Sequence, residues 1–145
     1  FDSFEGGLSE FIKEDFEDSS INSFDEAIMV KKQFSSSYRR LLDKVSESNN
    51  IFLNKGWIPS ILEKEKDRKY AFVHIDVDLF EPTYYSHKYF FERLNPGGII
   101  VCDDYGYSQF PGAAKAVEQF ISSIPSHSYS HFLKHSFGTS VIIKK

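Results

Sequence analysis

The chain has 145 residues, of which 41% are hydrophobic and 26% charged, with a formal net charge of −4. This length suits one domain over residues 1–145, and this composition excludes a disordered chain. The negative charge and the lack of a basic stripe argue against a nucleic-acid partner. No apolar run approaches the roughly 20 residues of a membrane span, and no signal peptide is visible. We therefore expect no membrane partner and, by default, a cytoplasmic location.

The first half of the chain predicts loops and helices with one short strand. Its first 24 residues are rich in Gly, Ser and acidic residues, which predicts loop with one short helix near 8–16. Apolar residues at roughly helical spacing predict a long helix over 24–47. A short strand is predicted at 51–53. A helix over 59–66 follows, because proline suits a first helical turn.

The second half alternates strands and helices. Apolar runs of strand length predict two buried strands, and apolar residues on one face predict the helices. In chain order the predicted elements are a strand at 70–76, a helix at 84–94, a turn at 95–98, a strand at 98–103, a helix at 112–123, and an antiparallel hairpin of 128–133 with 139–143 through 137–138. This alternation predicts an α/β layered domain with an antiparallel edge.

Acidic residues end both buried strands. Asp76 ends the first strand, and Asp103 and Asp104 end the second. If the strands are parallel neighbours, their ends lie about 5 Å apart, at the edge where open α/β sheets bind ligands. Carboxylates that converge repel one another, so these three predict a site for Mg²⁺, Ca²⁺ or Mn²⁺ rather than zinc. The alternative is that they cap the following helices or face solvent.

Two neighbours of Asp76 share its side of the strand. Asp78 and His74 each lie two residues away, so in extended geometry all three point the same way. Asp78 is either an outer ligand or a capping residue, and His74 is either catalytic or, more commonly, buried and hydrogen-bonded. Asp76 and Asp78 also form an Asp-x-Asp triplet, which keeps a metal-dependent glycosyltransferase open. That reading leaves Asp103 and Asp104 unexplained.

Five segments resemble, in order, the macrocin O-methyltransferase (TylF-like) family. They are 1–6, 52–59, 72–83 (with Phe-Val-His-Ile-Asp-Val-Asp), 93–106 (with Asn-Pro-Gly-Gly and Asp-Asp-Tyr-Gly) and 111–120. The resemblance implies a Rossmann-like methyltransferase fold, which is a three-layer sandwich with a mostly parallel sheet and a C-terminal antiparallel hairpin. It also implies S-adenosylmethionine- and Mg²⁺-dependent methylation of a hydroxyl on a sugar or another small molecule.

The resemblance implies a role for the acidic residues that end the two strands. Asp76, Asp103 and Asp104 match the metal-binding acids of the family. The metal would acidify the hydroxyl of the acceptor, and Asp76 or His74 is the candidate catalytic base.

The resemblance also places the cofactor. Asp2, followed by Ser3, falls where such enzymes hold the ribose hydroxyls of S-adenosylmethionine. Gly56 and Trp57 fall where the adenine end is usually held.

The chain is expected to be an N-terminally truncated version of this fold. Family members carry a Gly-rich cofactor loop after their first strand, and this chain begins after that position, at Phe1. Since that first strand lies between two others, we expect residues 51–54 to pair directly beside 70–76, or a partner to stabilise the sheet, for example in a homo-oligomer. The alternative function is a non-catalytic, degenerate methyltransferase-like domain that acts by association.

Overall fold

A computed structural model describes residues 1–21, 23–65, 68–134 and 138–145, with the backbone alone for Phe24 and Lys134. The helices and strands in this part of the chain are α1 (Lys13–Phe16), α2 (Phe24–Gln33), α3 (Tyr38–Val45), β1 (Tyr70–Ile75), α4 (Phe80–Arg93), β2 (Leu94–Cys102), α5 (Pro111–Ser123), β3 (Tyr129–Lys134) and β4 (Thr139–Lys144). Short 3₁₀ turns occupy Leu62–Lys64, Asp103–Gly106 and Ser126–Ser128. Within these described ranges, no helix has the length and apolar character needed to cross a bilayer.

The four strands form one sheet in the order β1-β2-β4-β3. β1 and β2 run parallel, with Ile75 opposite Cys102, whereas β4 is antiparallel to both β2 and β3. The α/β class, the parallel pairing of the two predicted strands and the C-terminal hairpin are therefore confirmed, whereas β1 is buried on one face only, through Val73 and Ile75. Of the predicted hairpin turn, Phe137 lies outside the described residues. Because Ile75 and Cys102 are partners, the residues that follow both strands leave the sheet at the same edge.

The helices α4 and α5 cover one face of this sheet. Alternate residues of the strands point toward them and build the main core, which includes Val73, Ile75, Ile100, Cys102, Phe90, Phe91 and Phe120. On the opposite face, Phe72 is 61% exposed and Phe132 is 54% exposed. The described residues thus provide two layers of the predicted three-layer sandwich. The helix α2 does not cover the opposite face of the sheet, because its buried side chains, Ala27 and Val30, pack in a second apolar cluster.

A second apolar cluster binds the N-terminal region to the strand-end loops. Its buried members are Leu8, Ile21, Ala27, Val30, Leu79 and Phe110. Leu79 immediately precedes α4, and Phe110 immediately precedes α5. Leu8, Ile21, Ala27 and Val30 of the N-terminal region are therefore packed against the loops that follow β1 and β2.

Three predictions for the first half need correction. The helix over 24–47 is two helices, because serines interrupt it and Ser37 accepts a hydrogen bond from the Arg40 amide to start α3. The helix near 8–16 is reduced to the four residues of α1. The helix over 59–66 is the single turn Leu62–Lys64 in its described part.

The predicted strand at 51–53 and its pairing beside β1 are also wrong. Instead of joining β1, this segment meets the N-terminus, where Asp2 forms an isolated parallel bridge with Lys55 and its amide donates to the Asn54 carbonyl. In the described sheet, β1 has β2 as its neighbour and no strand on its other edge. Residues 51–54 therefore do not pair with β1, and the Asn54 carbonyl is hydrogen-bonded to the Asp2 amide instead.

Two boundaries in the second half are shifted. α4 begins at Phe80 rather than at residue 84, because Pro82 is tolerated in the first turn, where its missing N–H has no intrahelical acceptor. β2 includes the predicted turn at 95–98. Its register is irregular there, since Tyr70 lies opposite Leu94 but Phe72 lies opposite Ile99.

A histidine in the core makes stability depend on pH. His87 of α4 is fully buried, and this burial lowers its pKa to about 4, although its hydrogen bond to the Thr83 carbonyl opposes the shift. The unfolded chain gains this proton near pH 6.5, so the contribution of His87 to stability is complete above that pH and is lost as the pH falls toward 4. In His87→Leu, we expect the unfolding free energy relative to the parent to rise by roughly 3 kcal/mol between pH 7 and pH 4.

Urea unfolding at both pH values measures this difference, and the parent's other titrating groups cancel in the comparison. His127→Leu is the matched control, because His127 is exposed. Its unfolding free energy relative to the parent should be the same at both pH values. A pH-independent difference for His87→Leu would contradict the assignment.

Candidate functional site

The loops after β1 and β2 carry acidic side chains at one edge of the sheet, and a backbone contact joins the two loops. Asp104 Oδ2 accepts hydrogen bonds from the amides of Val77 at 3.1 Å and Asp78 at 3.0 Å. Asp104 follows β2, whereas Val77 and Asp78 follow β1. One carboxylate from the second strand therefore fixes the backbone that follows the first.

Two of these acids are buried and lie near other acidic charges. Asp78 is 6% exposed and Asp104 is 8% exposed. Burial first, and then the nearby charges of Asp104 and Asp76, raise the pKa of Asp78 to about 7. Burial also raises the pKa of Asp104, with Asp76 and Asp103 adding to the rise and the two amides opposing it. Such perturbed carboxyl groups are typical of functional sites.

Asp78 is the site residue whose place the sequence did not reveal. The sequence left it as an outer ligand or a cap, whereas the structure places it in a cavity wall. Its φ of 61° is unusual for a residue other than glycine, although aspartate is among the residues that adopt it most readily. The Leu79 amide donates to the Val77 carbonyl at 2.7 Å, which tightens this turn. The one indication in the sequence that Asp78 belongs to the site was its position two residues after Asp76.

His74 is paired with a strand-end acid. His74 Nε2 lies 2.9 Å from Asp103 Oδ2, and the two side chains are 45% and 51% exposed. The Thr139 hydroxyl donates to the other oxygen, Asp103 Oδ1, at 3.4 Å. The interpretation of His74 as a buried histidine is therefore wrong, because it points to the half-open face of the sheet. Its hydrogen bond fixes the orientation of the Asp103 carboxylate.

The three predicted magnesium ligands have suitable chemistry but do not form a ready ligand set. Asp76, Asp103 and Asp104 offer the oxygen donors that Mg²⁺ prefers. The pKa of Asp104 is raised first by burial and then by the charges of Asp76 and Asp103, and a bound cation would oppose this rise. In the part of the chain that the structure describes, however, no three His, Cys, Asp or Glu side chains converge as metal ligands. The Asp103 and Asp104 carboxylates instead hold His74 and the loop after β1.

A cavity of about 240 Å³ unites the predicted cofactor residues with this acidic edge. Asp2, Ser3, Gly56 and Trp57 line it together with Asp76 and Asp78. Asp2 and Asp76, which are 74 positions apart in the sequence, thus face one space. Its other walls include Leu8, Ser9, Phe34 and Pro82.

Backbone pairing explains why the cofactor candidates lie together. The Gly56 amide donates to the Asp2 carbonyl at 3.0 Å, next to the bridge between Asp2 and Lys55. The Asp2 carboxylate accepts from the Phe4 amide at 2.7 Å and from the Ser36 hydroxyl at 3.3 Å. The Trp57 indole N–H donates to Glu5 at 3.1 Å. The segments around residues 2 and 56 therefore form one polar wall.

A second cavity, of about 400 Å³, follows the unpaired edge of β1. Tyr70, Phe72 and His74 line one side of it, and Phe1 and Asp2 line the other. Both cavities also touch Asp76. His74 therefore lies on the second cavity, whereas Asp78 lies on the first.

Comparison with known proteins identifies similar families and folds. The family model described as macrocin-O-methyltransferase (TylF) matches residues 1–126. The O-methyltransferase NovP has a TM-score of 0.74 at 14% identity, over 99% of this chain and 57% of NovP. The calicheamicin methyltransferase CalS11 has a TM-score of 0.60 at 17% identity, over 99% of this chain and 58% of CalS11.

A third similar structure is that of a Staphylococcus aureus protein assigned as a caffeoyl-CoA O-methyltransferase. Its TM-score is 0.58 at 14% identity, over 86% of this chain and 62% of that protein. No curated protein matches the chain significantly. At these identities the structural matches establish the fold, and the chain spans less than two thirds of each of the three proteins.

Proposed function

Because the chain belongs to the macrocin O-methyltransferase (TylF) family, we propose that it is the catalytic C-terminal part of an S-adenosylmethionine- and Mg²⁺-dependent O-methyltransferase. Its acceptor would be a hydroxyl of a sugar or another small molecule. The observation that supports this most is the cavity shared by Asp2, Trp57 and Asp76. It brings the residues proposed for the cofactor next to Asp76, one of the three acids proposed for the metal.

The cofactor half of this proposal rests on the polar wall around residues 2 and 56. The Asp2 carboxylate would accept hydrogen bonds from the ribose hydroxyls, and the Ser3 hydroxyl would either donate to a ribose hydroxyl or accept from one. The Gly56 backbone would lie at the adenine end, and the Trp57 ring offers an apolar face on which adenine can pack.

The metal half rests on the strand-end acids. Asp76, Asp103 and Asp104 would hold Mg²⁺, which when bound supplies Lewis acidity that lowers the pKa of the acceptor hydroxyl. Asp104 keeps the loop after β1 in place through the Val77 and Asp78 amides. His74 orients Asp103.

The hydroxyl proton needs an acceptor on this chain. The sequence suggested Asp76 and His74 as the proton acceptor, and the position of Asp78 in the cavity wall makes it a third candidate. Both carboxylates line the cavity with the cofactor candidates, whereas His74 lines the neighbouring cavity. We therefore assign proton acceptance to the Asp76–Asp78 turn and a positioning role to His74. With the hydroxyl held there, methyl transfer depends mainly on in-line alignment.

Calorimetry on the full-length protein tests this function. We expect S-adenosylmethionine to bind with an affinity that rises on addition of MgCl₂, and we expect Asp103→Ala to weaken that rise by roughly ten- to a hundredfold. Glu26→Ala on α2, which lines neither cavity, is the control and should keep the Mg²⁺ effect. Failure of the full-length protein to bind S-adenosylmethionine would exclude the proposal, and tighter binding of a nucleotide sugar would favour the Asp-x-Asp glycosyltransferase.

A non-catalytic methyltransferase-like domain is the second candidate. It is favoured by the acids, which in the described residues hold backbone and His74 rather than a three-ligand site. Association with a second copy would suit the half-exposed sheet face around Phe72 and Phe132. Turnover by the full-length protein would exclude this candidate.

A further inference from the structure

A buried aspartate outside the proposed site connects three parts of the fold. Asp15 of α1 is 2% exposed. Its Oδ2 accepts a hydrogen bond from the Ile12 amide at 2.9 Å, and its Oδ1 accepts one from the Phe80 amide at 2.7 Å. Among the described residues, the ion pairs include none with Asp15. Its carboxylate is therefore held by backbone N–H groups.

The contact with Phe80 replaces a cap that α4 lacks. The residue at the N-terminal cap of α4 is Leu79, whose side chain cannot accept a hydrogen bond. Asp15 supplies the missing acceptor from 65 residues away. A carboxylate at this end of a helix is also stabilised by the helix dipole.

The first turn of α5 leaves room for the same carboxylate because it contains Gly112. A Cβ added at Gly112, in its first turn, would lie 2.0 Å from Asp15 Oδ1. Any larger residue at this position would displace the carboxylate. The absence of a side chain at Gly112 thus lets Asp15 sit between the starts of α4 and α5.

Asp15 also belongs to a segment that forms part of the cavity wall. We call residues 7–21 the N-terminal strap, because Gly7, Leu8 and Ser9 line the first cavity. Its far end is bound to the loop before α5: the Ser19 hydroxyl donates to the Gln109 carbonyl at 2.8 Å. Asp15 is the point where this strap meets α4.

The turn that carries Asp78 is thus held at both ends. Asp104 accepts the Val77 and Asp78 amides on one side, and Asp15 accepts the Phe80 amide on the other. We propose that Asp15 is a positioning residue, which sets the conformation of the turn at 76–80 and couples it to the N-terminal strap. The coupling is a property of the fold, and its consequence for turnover rests on the proposed function.

Asp15→Asn tests the coupling with little change in shape. Asparagine keeps one acceptor oxygen but replaces the other with an NH₂ group, so it cannot accept from both Ile12 and Phe80. In the full-length protein, we expect amide hydrogen exchange at Ile12 and Phe80 to accelerate by roughly tenfold or more, because each loses a charged acceptor. Asp18→Asn is the matched control on the same strap, since the Asp18 side chain is 84% exposed.

Gly112→Ala reaches the same contact without altering its charge. The added methyl meets Asp15 Oδ1, so the variant should accelerate exchange at Phe80 even if Asp15→Asn fails to fold. NMR gives a further signature in the parent, where the Ile12 and Phe80 amide shifts should titrate together. Their shared midpoint should lie above the usual value of an aspartate, because burial raises the pKa of Asp15, with Glu14 and Glu81 adding to the rise and the two amides opposing it.

The outcomes separate this inference from the methyltransferase proposal, because hydrogen exchange requires no turnover. Unchanged exchange at Phe80 in folded Asp15→Asn would overturn the inference. So would a uniform acceleration through α5 and β2, which would indicate a general loss of stability. If the full-length protein catalyses methyl transfer, Asp15→Asn should lower kcat by roughly tenfold and change the KM for S-adenosylmethionine less. A larger change in KM than in kcat would also overturn the inference.

Discussion

Asp76→Ala is expected to reduce methyl transfer by the full-length protein by roughly two to four orders of magnitude, the range that loss of a catalytic acid–base group produces. Asp76 lies on both cavities, at the turn to which we assign metal binding and proton acceptance. Its side chain is exposed, so its contribution to folding is small. We therefore expect the unfolding free energy to change by no more than about 0.5 kcal/mol.

Asp76→Ala should lower activity without lowering stability, because it also removes a repulsive charge. The charge of Asp76 contributes to the raised pKa values of Asp78 and Asp104. Its removal should relieve that repulsion and favour the folded state. Single-turnover transfer and urea unfolding measure the two effects independently. Asp43→Ala, at an exposed position on α3, is the control for loss of an acidic side chain, and equal activity of both variants would contradict the role of Asp76.

Phe110→Ala is expected to cost about 3–5 kcal/mol of stability, the range for a fully buried phenylalanine. Phe110 is 0% exposed and belongs to the second apolar cluster. Its ring centroid lies 5.8 Å from that of Phe34 and 5.7 Å from that of Tyr107. Truncation leaves a cavity beneath the N-terminal strap, because these neighbours belong to separate segments that cannot all close in.

Urea unfolding checks this cost, with Phe132→Ala as the control. Phe132 is 54% exposed, so its truncation should cost less than about 1 kcal/mol. The slope of the transition should be the same in both variants if the folded state stays compact. Equal costs for the two phenylalanines would show that the second cluster does not stabilise the chain.

The elements that the sequence predicted well are those with a strong local pattern. β1 is a short run of apolar and β-branched residues, and α5 has a clear apolar face that begins at a proline. The long predicted helix failed because apolar spacing continues across Ser35–Ser37, where side-chain capping of the next helix outweighs it. The strand at 51–53 failed for a different reason: a strand needs a partner, and the isolated bridge in this region pairs Asp2 with Lys55, beyond the predicted strand.

The site was predictable to the extent that it follows from strand ends. The placement of Asp76 and Asp104 at one edge follows from two parallel neighbouring strands with acidic ends, and the structure has this pairing of β1 with β2. Asp15 was not predictable, since its role depends on a contact with Phe80 across 65 residues. His74 was misjudged because its exposure depends on how the second face of the sheet is covered, which strand periodicity does not specify.

Manganese binding, followed by electron paramagnetic resonance on the full-length protein, tests the assignment of the strand-end acids most directly. Mn²⁺ accepts the same oxygen ligands as Mg²⁺, and free Mn²⁺ gives a signal that is lost on binding. We expect one equivalent of Mn²⁺ to bind, to be displaced by excess Mg²⁺, and to be bound at least about tenfold more weakly by Asp76→Ala. Absence of a stoichiometric site, or equal binding by Asp76→Ala and the parent, would contradict a metal-dependent methyltransferase site at this edge of the sheet.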